Sequence, residues 1–274
     1  MIKEVLFDTI KIILIVTALM ILVEYLQIKF KKKIENKITK NLKNQIIGSS
    51  LLGVIPGCFD AFFIVNLYSH GLVGFGALVA VMLSTAGDEA FVMLAIIPKI
   101  AFLIFIICAT LGIVGGFISH VIYKKTRFKR AKPCKIKIHF KRGYKHFFKE
   151  HIYKHILKQH IPNLFIWIFF TLLIVKILMQ NFDLASILPQ NKLLLILIAA
   201  LIGIIPESGP HLIFLTLYSQ GLIPFSVLLV SSLSQDGHGL LPLLSYSVKD
   251  TIKVQIFTTL FSLGVGIILF FAGI

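Results

Sequence analysis

Long apolar segments separated by short polar stretches fill most of the chain. Residues 5–28 and residues 100–123 are each long enough to cross a bilayer, which takes about 20 residues. Residues 46–68 are similarly apolar but are interrupted at GVIPGCFD, where a proline and two glycines break the helical pattern. We therefore predict two whole transmembrane helices with a broken transmembrane helix between them.

The segment between residues 72 and 98 has a different pattern. Its first apolar run, residues 72–85, is too short to cross a bilayer and leads into the string AGDEA. A second apolar run, residues 91–97, then returns to a proline and a lysine. We predict a re-entrant helical hairpin whose tip, residues 85–89, lies near the bilayer centre.

The second half of the chain repeats the pattern of the first at an offset of 150 residues, without a gap. Chance similarity between apolar segments would not match prolines, glycines, Tyr-Ser pairs and lysines, so the match indicates an internal repeat. We place repeat 1 at residues 1–123, a linker at 124–160 and repeat 2 at 161–274. The matches include Gly53 with Gly203, Pro56 with Pro206, Tyr68-Ser69 with Tyr218-Ser219, Gly71 with Gly221, Gly87 with Gly237, and Lys99 with Lys249.

Basic residues are concentrated in two loops that adjoin apolar segments. The runs at residues 29–43 and 124–145 hold most of the 28 lysines and arginines. Under the positive-inside rule both loops are cytoplasmic, whereas the loop at residues 180–192, with only Asp183 and Lys192, is outside. Each repeat then crosses the membrane an odd number of times. We predict that the two repeats are inverted relative to each other and that both termini are outside.

Composition narrows the class of protein. A hydrophobic content of 57% and a mean hydropathy of +0.91 are typical of a polytopic membrane protein. The net charge of +16 lies beside apolar segments, so it does not indicate a nucleic-acid-binding face. The HExxH and GxxxxGK[ST] motifs are absent, so we expect neither an enzyme nor an ATP-driven pump. Cys58, Cys108 and Cys134 share no CxxC spacing, and no disulfide framework is expected.

Four clusters of polar residues interrupt the apolar segments. Ionisable groups at membrane depth are costly unless they face a cavity or a partner, and many transporters build substrate sites from broken helices that carry them. We expect the clusters to converge near the midplane between the repeats. Their carboxylate, amide, hydroxyl and imidazole groups suit a hard divalent cation such as Mn²⁺. They are Asp60 with Cys58; Ser84, Thr85, Asp88 and Glu89; Glu207, Ser208 and His211; and Ser234, Gln235, Asp236 and His238.

Other interpretations of these clusters stay open. Half-helices that begin after Pro56 and Pro206 would point their N-terminal dipoles inward and favour an anion. The clusters contain several acids and no lysine or arginine, which favours a cation. The acids that follow the breaks could also simply cap the half-helices. His211 or His238 could carry a proton as the counter-ion.

The linker contains five histidines whose role is a separate question. His151 and His155 are four residues apart and could bind a metal if the segment is helical. Interleaved lysines and aromatic residues favour a basic amphipathic helix that lies on anionic lipid. We therefore predict a surface helix. The five are His139, His146, His151, His155 and His160.

Several strings resemble the family of ten-segment heavy-metal exporters, whose members are labelled manganese transporters or arsenic efflux proteins. They are GVIPGCFDAF, LYSHGLVGFGALVA, TAGDEAFVMLA, GIIPESGPHLIF and SQDGHGLLPLL, and they run through both repeats. The resemblance implies an exporter in the cytoplasmic membrane, and six spans plus two hairpins of two segments each also give ten. Manganese against arsenic stays open. The motif positions fall on Asp60, Asp88, Glu89, Glu207, His211, Asp236 and His238.

The sequence thus predicts an all-α polytopic membrane protein of two inverted repeats, each with three transmembrane helices, one of them broken, and a re-entrant helical hairpin. The expected function is secondary-active, proton-coupled export of Mn²⁺ or a similar divalent heavy-metal cation across a bacterial inner membrane. Arsenic or oxyanion efflux is the alternative. We expect no cofactor, since the metal is the substrate. The expected partners are the lipid bilayer, the metal ion, protons and a second copy in a homodimer, and no nucleic acid.

Overall fold

A computed structural model of the chain describes residues 2–57, 59–123, 153, 156–158, 160–183, 187–188 and 191–273. For residues 24, 26–37, 59 and 238 it describes the main chain alone. The described residues form helices and no strands. The principal helices are α1 (Ile2–Ile38), α2 (Leu42–Gly53), α3 (Phe59–Ser69), α4 (Phe75–Ser84), α5 (Glu89–Ile96), α6 (Pro98–Ile122), α7 (Ile161–Asn181), α8 (Lys192–Ile202), α9 (Leu212–Ser219), α10 (Phe225–Ser234), α11 (Leu240–Tyr246) and α12 (Val248–Phe271), with 3-10 turns at Gly209–His211 and Gly237–Gly239.

Helical segments long and apolar enough to cross a membrane occur in both halves. α6 and α12 expose large apolar side chains on their outer faces, such as Ile106 at 66% and Leu260 at 64%, as expected of helices that face lipid. The prediction of an all-α polytopic membrane protein is therefore confirmed. The five segments are Ile2–Val23, Phe75–Ile96, Pro98–Ile122, Ile161–Asn181 and Val248–Phe271.

The helices of the two halves coincide under the 150-residue offset. α4 and α10 match residue for residue, and each is followed by a break and then a short helix. Gly71 and Gly221 both have a φ of 71°, and Gly87 and Gly237 have φ values of 50° and 54°. Side chains rarely tolerate this left-handed region, so the four turns require glycine. The matched glycines of the sequence thus mark equivalent turns in two similar helical arrangements.

Helices α2 and α3 turn back on each other. The Gln45 side chain, near the start of α2, donates to the Leu72 carbonyl at 3.3 Å and accepts from the Gly74 amide at 3.1 Å, just beyond the end of α3. Gly53, at the end of α2, lies instead against Ser84 at the end of α4, where an added Cβ would be 2.0 Å from the hydroxyl. α2 therefore runs beside α4 in the same direction, and α3 returns. This pair has the geometry of a helical hairpin.

Helices α4 and α5 together form one interrupted segment that is long enough to cross a membrane. α4 packs along α6 in the opposite direction, with Gly76 near its start against Gly116 near the end of α6. α5 leads on to Ile97, the one residue that separates it from the start of α6. Every residue from 75 to 93 is buried, so this crossing is the central element of the first half.

Our assignment of the hairpin to residues 72–98 and of the broken span to residues 46–68 is wrong, because the two elements are exchanged. Both carry the same local signals: an apolar run, a break with proline or glycine, and a second apolar run. These signals mark where a helix is interrupted, but they do not determine whether the chain continues or turns back. Packing against α6 makes that choice. The first half contains three segments long and apolar enough to cross a membrane, Ile2–Val23, Phe75–Ile96 and Pro98–Ile122.

Equivalent helices of the two halves run in opposite directions where they meet. α1 packs against α7, and Glu4 near the start of α1 pairs with Lys176 near the end of α7 at 2.6 Å. Lys253, near the start of α12, lies 5.6 Å from the centre of the Tyr123 ring at the end of α6. These contacts show that α1 runs antiparallel to α7 and that α6 runs antiparallel to α12.

We expect Gly116→Ala to destabilise the protein by about 1–3 kcal/mol, the usual cost of overpacking. A Cβ at Gly116 would lie 2.8 Å from the Gly76 carbonyl oxygen and 2.7 Å from the Ile46 side chain, so α4 and α6 would have to separate. Gly264 on α12 provides a matched control, since a Cβ there meets nothing within 4 Å. Unfolding by SDS in mixed micelles measures both variants, and equal stability of the two would contradict this packing.

Candidate functional site

The main chain leaves the helical conformation at the same point in each half. Thr85 and Gln235, which follow α4 and α10, are extended, with ψ values of 134° and 119°. The glycine two positions later has a positive φ in both halves. Interrupted main chain at membrane depth is tolerated only where it is buried in protein or lines a cavity. The two breaks therefore carry their polar side chains into the interior.

The two breaks meet through a direct hydrogen bond between the halves. The Gln235 side-chain amide donates to Glu89 Oε2 at 2.6 Å, and both residues are fully buried. The second carboxylate oxygen of Glu89 and the amide oxygen of Gln235 have no hydrogen-bond partner among the described residues. A buried oxygen without a donor is costly unless something else binds it. This contact therefore leaves two oxygens at the interface available to a ligand.

Asp236, the next residue in the second break, is held by α12. Its Oδ2 accepts a hydrogen bond from the Thr258 hydroxyl at 3.3 Å, and its Oδ1 has no partner in the described part of the chain. Asp236 is 1% exposed. Thr258 was not predicted, because the sequence does not distinguish it from the other hydroxyl residues of α12, such as Thr259 and Ser262.

Asp60 lies in the first turn of α3 and is also 1% exposed. Neither of its carboxylate oxygens accepts a hydrogen bond of full geometry from a described residue. The Thr85 hydroxyl lies close by, and the Asp88 carboxylate is near enough to repel it. The tip of the first hairpin and the first break thus contribute carboxylates to the same polar region.

His211 is a buried histidine with one free nitrogen. Its Nδ1 lies 2.8 Å from the Ser231 hydroxyl on α10, and its Nε2 has no partner among the described residues. The hydroxyl fixes the orientation of the ring, which is fully buried. The Ser231 contact was not predicted. His211 therefore presents one nitrogen that a proton or a metal ion could occupy.

Asp88 and Glu207 differ from these groups because helix α7 contacts both of them. His160 Nδ1 lies 2.8 Å from Asp88 Oδ2. The Asn163 amide donates to Glu207 Oε1 at 3.4 Å, and Glu207 is only partly buried. Both carboxylates thus lie toward the start of α7, and Glu207 is the more exposed of the two.

The predicted supporting serines have different environments. The Ser84 hydroxyl donates to the Ala80 carbonyl at 2.8 Å, and the Ser234 hydroxyl donates to the Ala199 carbonyl at 3.2 Å. These two serines are engaged in helix packing. The Ser208 hydroxyl has no partner among the described residues and lies against Gly87.

Cysteine sulfur atoms near the site would affect which metal ion it prefers. Cys108 on α6 is a free thiol, 2% exposed and close enough to Glu89 to interact with its charge. The sequence analysis considered only Cys58, which lies outside the described residues. A buried thiol in the same region is a softer ligand than the carboxylates and would favour ions such as Zn²⁺.

Some predicted residues fall outside the description. The side chain of His238 is one, and the linker histidines His139, His146, His151 and His155 are the others. The fifth linker histidine, His160, does not lie on a free surface as we predicted, because its ring reaches Asp88. The contact is possible because the start of α7 lies beside the first break, which the sequence does not reveal.

Four acidic side chains are buried in this region, and we call the four of them together the acidic layer. Asp60, Asp88, Glu89 and Asp236 are all buried, and no lysine or arginine is buried in the part of the chain that the structure describes. Within that part, no three histidine, cysteine or acidic side chains are grouped closely enough to hold a metal ion together. Binding of a cation would therefore use hydroxyl, amide or main-chain oxygens as well, or draw the carboxylates inward.

A polar cluster joins the halves on the linker side of this layer. The Tyr68 hydroxyl donates to Asp250 Oδ2 at 3.2 Å, and Lys253 pairs with Asp250 Oδ1 at 3.4 Å. The offset makes Tyr218 the equivalent of Tyr68 and Ile100 the equivalent of Asp250, so this cluster is not repeated. It distinguishes one side of the interface from the other.

We expect Tyr68→Phe to lower the free energy of unfolding by about 1.5–3 kcal/mol, the usual range for a hydrogen bond to a charged group. Tyr218→Phe is the matched control. Both rings pack on a phenylalanine in the same geometry, with centroids 6.4 Å apart and planes at 66°. Thermal unfolding in detergent measures the difference. A loss of the same size in both variants would mean that the Asp250 contact contributes nothing.

The comparisons with known proteins agree with the architecture. A family described as "Putative, 10TM heavy-metal exporter" matches the chain at residues 3–180 and 163–272. Together the two matches cover both halves. No curated protein and no solved structure matches the chain.

Proposed function

Because the chain belongs to the family of 10TM heavy-metal exporters, we propose that it exports a divalent heavy-metal cation, Mn²⁺ or a similar ion, across the cytoplasmic membrane. The family resemblance noted in the sequence is confirmed by this membership. The family is one of transporters and not of enzymes. The exact ion, its coupling to protons and the placement of its site between the halves are our proposals.

The observation that carries the proposal is the set of buried carboxylate oxygens at the interface that accept no hydrogen bond of full geometry from a described residue. Asp60, Glu89 and Asp236 together have four such oxygens, and all three residues are at most 1% exposed. Buried charges are normally paired or coordinate metals, and this layer has no buried lysine or arginine among the described residues. A cation is therefore the ligand that would offset the cost of burying these groups.

The relative direction of the halves supports an alternating-access mechanism. Inverted repeats place equivalent helices in opposite directions and put the substrate between them. The antiparallel contacts of α1 with α7 and of α6 with α12 fit that plan. We propose that the halves rock around the acidic layer, with the basic linker on the cytoplasmic side.

The anion alternative has weaker support in the same region. A half-helix after Pro56 would favour an anion at its N-terminus, but the Asp60 carboxylate already lies in that first turn. A second anion there would be repelled by Asp60 and Asp88. An arsenic oxyanion would need a cationic group that the buried layer does not supply among the described residues.

Protons are the counter-ion we propose. A carboxylate that releases a metal ion in a buried layer would remain uncompensated, and a proton neutralises it at low cost. The free Nε2 of His211 is a second candidate proton acceptor. Exchange of one cation for protons would then let the same acids alternate between metal and proton.

Uptake into everted membrane vesicles tests the proposal. Vesicles containing the protein should accumulate Mn²⁺ when a pH gradient, acid inside, is imposed, and an internal pH dye should report proton release. Zn²⁺, Ca²⁺ and arsenite serve as comparators, and vesicles without the protein as the control. Uptake of arsenite without uptake of any divalent cation would replace our proposal with the arsenic alternative.

A further inference from the structure

One face of helix α7 carries polar side chains to the loops of both halves. His160, Asn163 and Trp167 follow each other over two helical turns, at the spacing that places them on one face. His160 contacts Asp88 in the first break, and Asn163 contacts Glu207 at the tip of the second hairpin.

The equivalent helix lacks this face. The positions of α1 that match His160, Asn163 and Trp167 under the offset are Ile10, Ile13 and Thr17. The polar face is therefore not a consequence of the repeat. A side-chain set present in only one half points to a role that the two sides of the transporter do not share.

The loops that this face contacts touch each other. A Cβ on Gly87 would lie 2.5 Å from the Ser208 hydroxyl, so the residues next to Asp88 and Glu207 are in direct contact. Trp167 completes the packing, since a Cβ on Gly209 would lie 2.2 Å from its ring. The start of α7, the first break and the second hairpin tip thus enclose one small region.

An unpartnered hydroxyl lies within this region. Ser208 is 2% exposed, and its Oγ has no hydrogen-bond partner among the described residues. A buried hydroxyl without a partner is unfavourable, so a ligand that accepts or shares its lone pairs would be favoured. This orphan atom is independent of the two α7 contacts.

Exposure decreases from α7 toward the buried layer. Asn163 is exposed and Glu207 is intermediate, whereas the side chains of His160 and Asp88 are 14% and 5% exposed. Asp60, which interacts with Asp88, is 1% exposed. The polar groups thus lead from the surface of the protein to the acidic layer, with exposure decreasing along the way.

We propose that His160, Asn163, Asp88, Ser208 and Glu207 form an entrance site that captures the divalent cation before it reaches the buried layer. Their side chains would draw together around the ion, because without it no three of the described histidine and acidic side chains are grouped closely enough to hold a metal. An imidazole nitrogen, two carboxylates, an amide oxygen and a hydroxyl suit Mn²⁺ and Zn²⁺. His160 is the last residue of the basic linker, so the entrance site lies on the side from which an exporter loads. This inference rests on the proposed function and adds a second site to it.

The test is the concentration dependence of Mn²⁺ uptake by everted vesicles. His160→Gln should raise the KM for Mn²⁺ by about 10-fold or more, as loss of a ligand or its orienting group does, with the maximal rate within about twofold of wild type. His70→Gln is the matched control, because His70 bonds to the Asn66 carbonyl at the end of α3, away from these loops. An unchanged KM in His160→Gln would overturn the entrance site.

Asn163→Asp should change the KM for Mn²⁺ in the opposite direction to His160→Gln. If Asn163 faces a bound cation, the added carboxylate should lower the KM for Mn²⁺ by about threefold or more. If Asn163 only holds Glu207 in place, two like charges would meet and the KM would stay the same or rise, which would overturn the proposal. The variant has nearly the shape of the native side chain, so a folding defect is not expected.

The same assay distinguishes rejection of cation export from rejection of the entrance site alone. Wild-type vesicles that move no divalent cation would reject the function and the entrance site together. Wild-type vesicles that transport Mn²⁺, with His160→Gln and Asn163→Asp both at the wild-type KM, would leave the function intact and reject the entrance site alone.

Discussion

Glu89→Gln is expected to reduce cation transport by at least about 100-fold while the protein stays folded, since even residues that only support metal ligands cost 10–100-fold in affinity when they are replaced. Glutamine keeps the shape of the side chain and can still meet Gln235. It removes the negative charge at a point where the two breaks share a hydrogen bond. Uptake of Mn²⁺ into everted vesicles, normalised to protein content, measures the loss.

The matched control for this variant is Glu4→Gln. Glu4 lies in the first turn of α1, its side chain is 66% exposed, and its pairing with Lys176 is of the kind that contributes little to stability. It should transport at the wild-type rate. Near-normal transport by Glu89→Gln would mean that the carboxylate is a structural partner of Gln235 and that the cation passes elsewhere.

Asp60→Asn is expected to abolish transport without lowering the free energy of unfolding. A buried carboxylate without a hydrogen bond of full geometry opposes folding, so an amide of the same shape should leave stability equal or higher. Residues that are optimised for function commonly show this trade-off. Transport and SDS unfolding of the same preparation measure both effects.

Asp250→Asn provides the contrast. Asp250 accepts from Tyr68 and pairs with Lys253, so its replacement should lower stability by about 1.5–3 kcal/mol. A loss of stability in Asp60→Asn as large as that in Asp250→Asn would show that Asp60 has structural partners in the folded protein. The acidic layer would then lose its strongest candidate for a metal-binding residue.

The sequence was most informative where a local feature has one structural outcome. Glycines at positions 71, 87, 221 and 237 mark turns that only glycine adopts readily, and all four have positive φ. Matched apolar runs on either side of them predicted the helices of both halves. The breaks and their polar side chains could therefore be located from the sequence alone.

The path of the chain after each break could not be predicted. The break that follows Gly53 leads into a returning helix, and the break at residues 85–88 leads into a continuing one. The difference depends on which helix packs alongside, as when Gly76 meets Gly116, and such a contact spans 40 residues of sequence. The polarity and length of each segment do not determine which helix packs beside it, and so do not predict whether the chain turns back.

Partners of the site residues were missed for a related reason. Ser231 and Thr258 lie among other serines and threonines of their helices, where a hydroxyl usually bonds to its own helix, so the sequence does not distinguish them. His160 is 72 residues from Asp88 in the sequence and follows a run of lysines that suggested a surface helix. Only the packing of α7 beside the first break brings that histidine to a carboxylate.

The central claim is that a divalent cation binds in the acidic layer between the halves, and calorimetry on the purified protein in detergent tests it most directly. We predict saturable binding of Mn²⁺ to the wild type, with Zn²⁺, Ca²⁺ and arsenite as comparators. Both Glu89→Gln and Asp236→Asn should lose the ion bound in the acidic layer and retain only binding at the entrance site. Heat on addition of arsenite, with no heat from any divalent cation, would contradict the account.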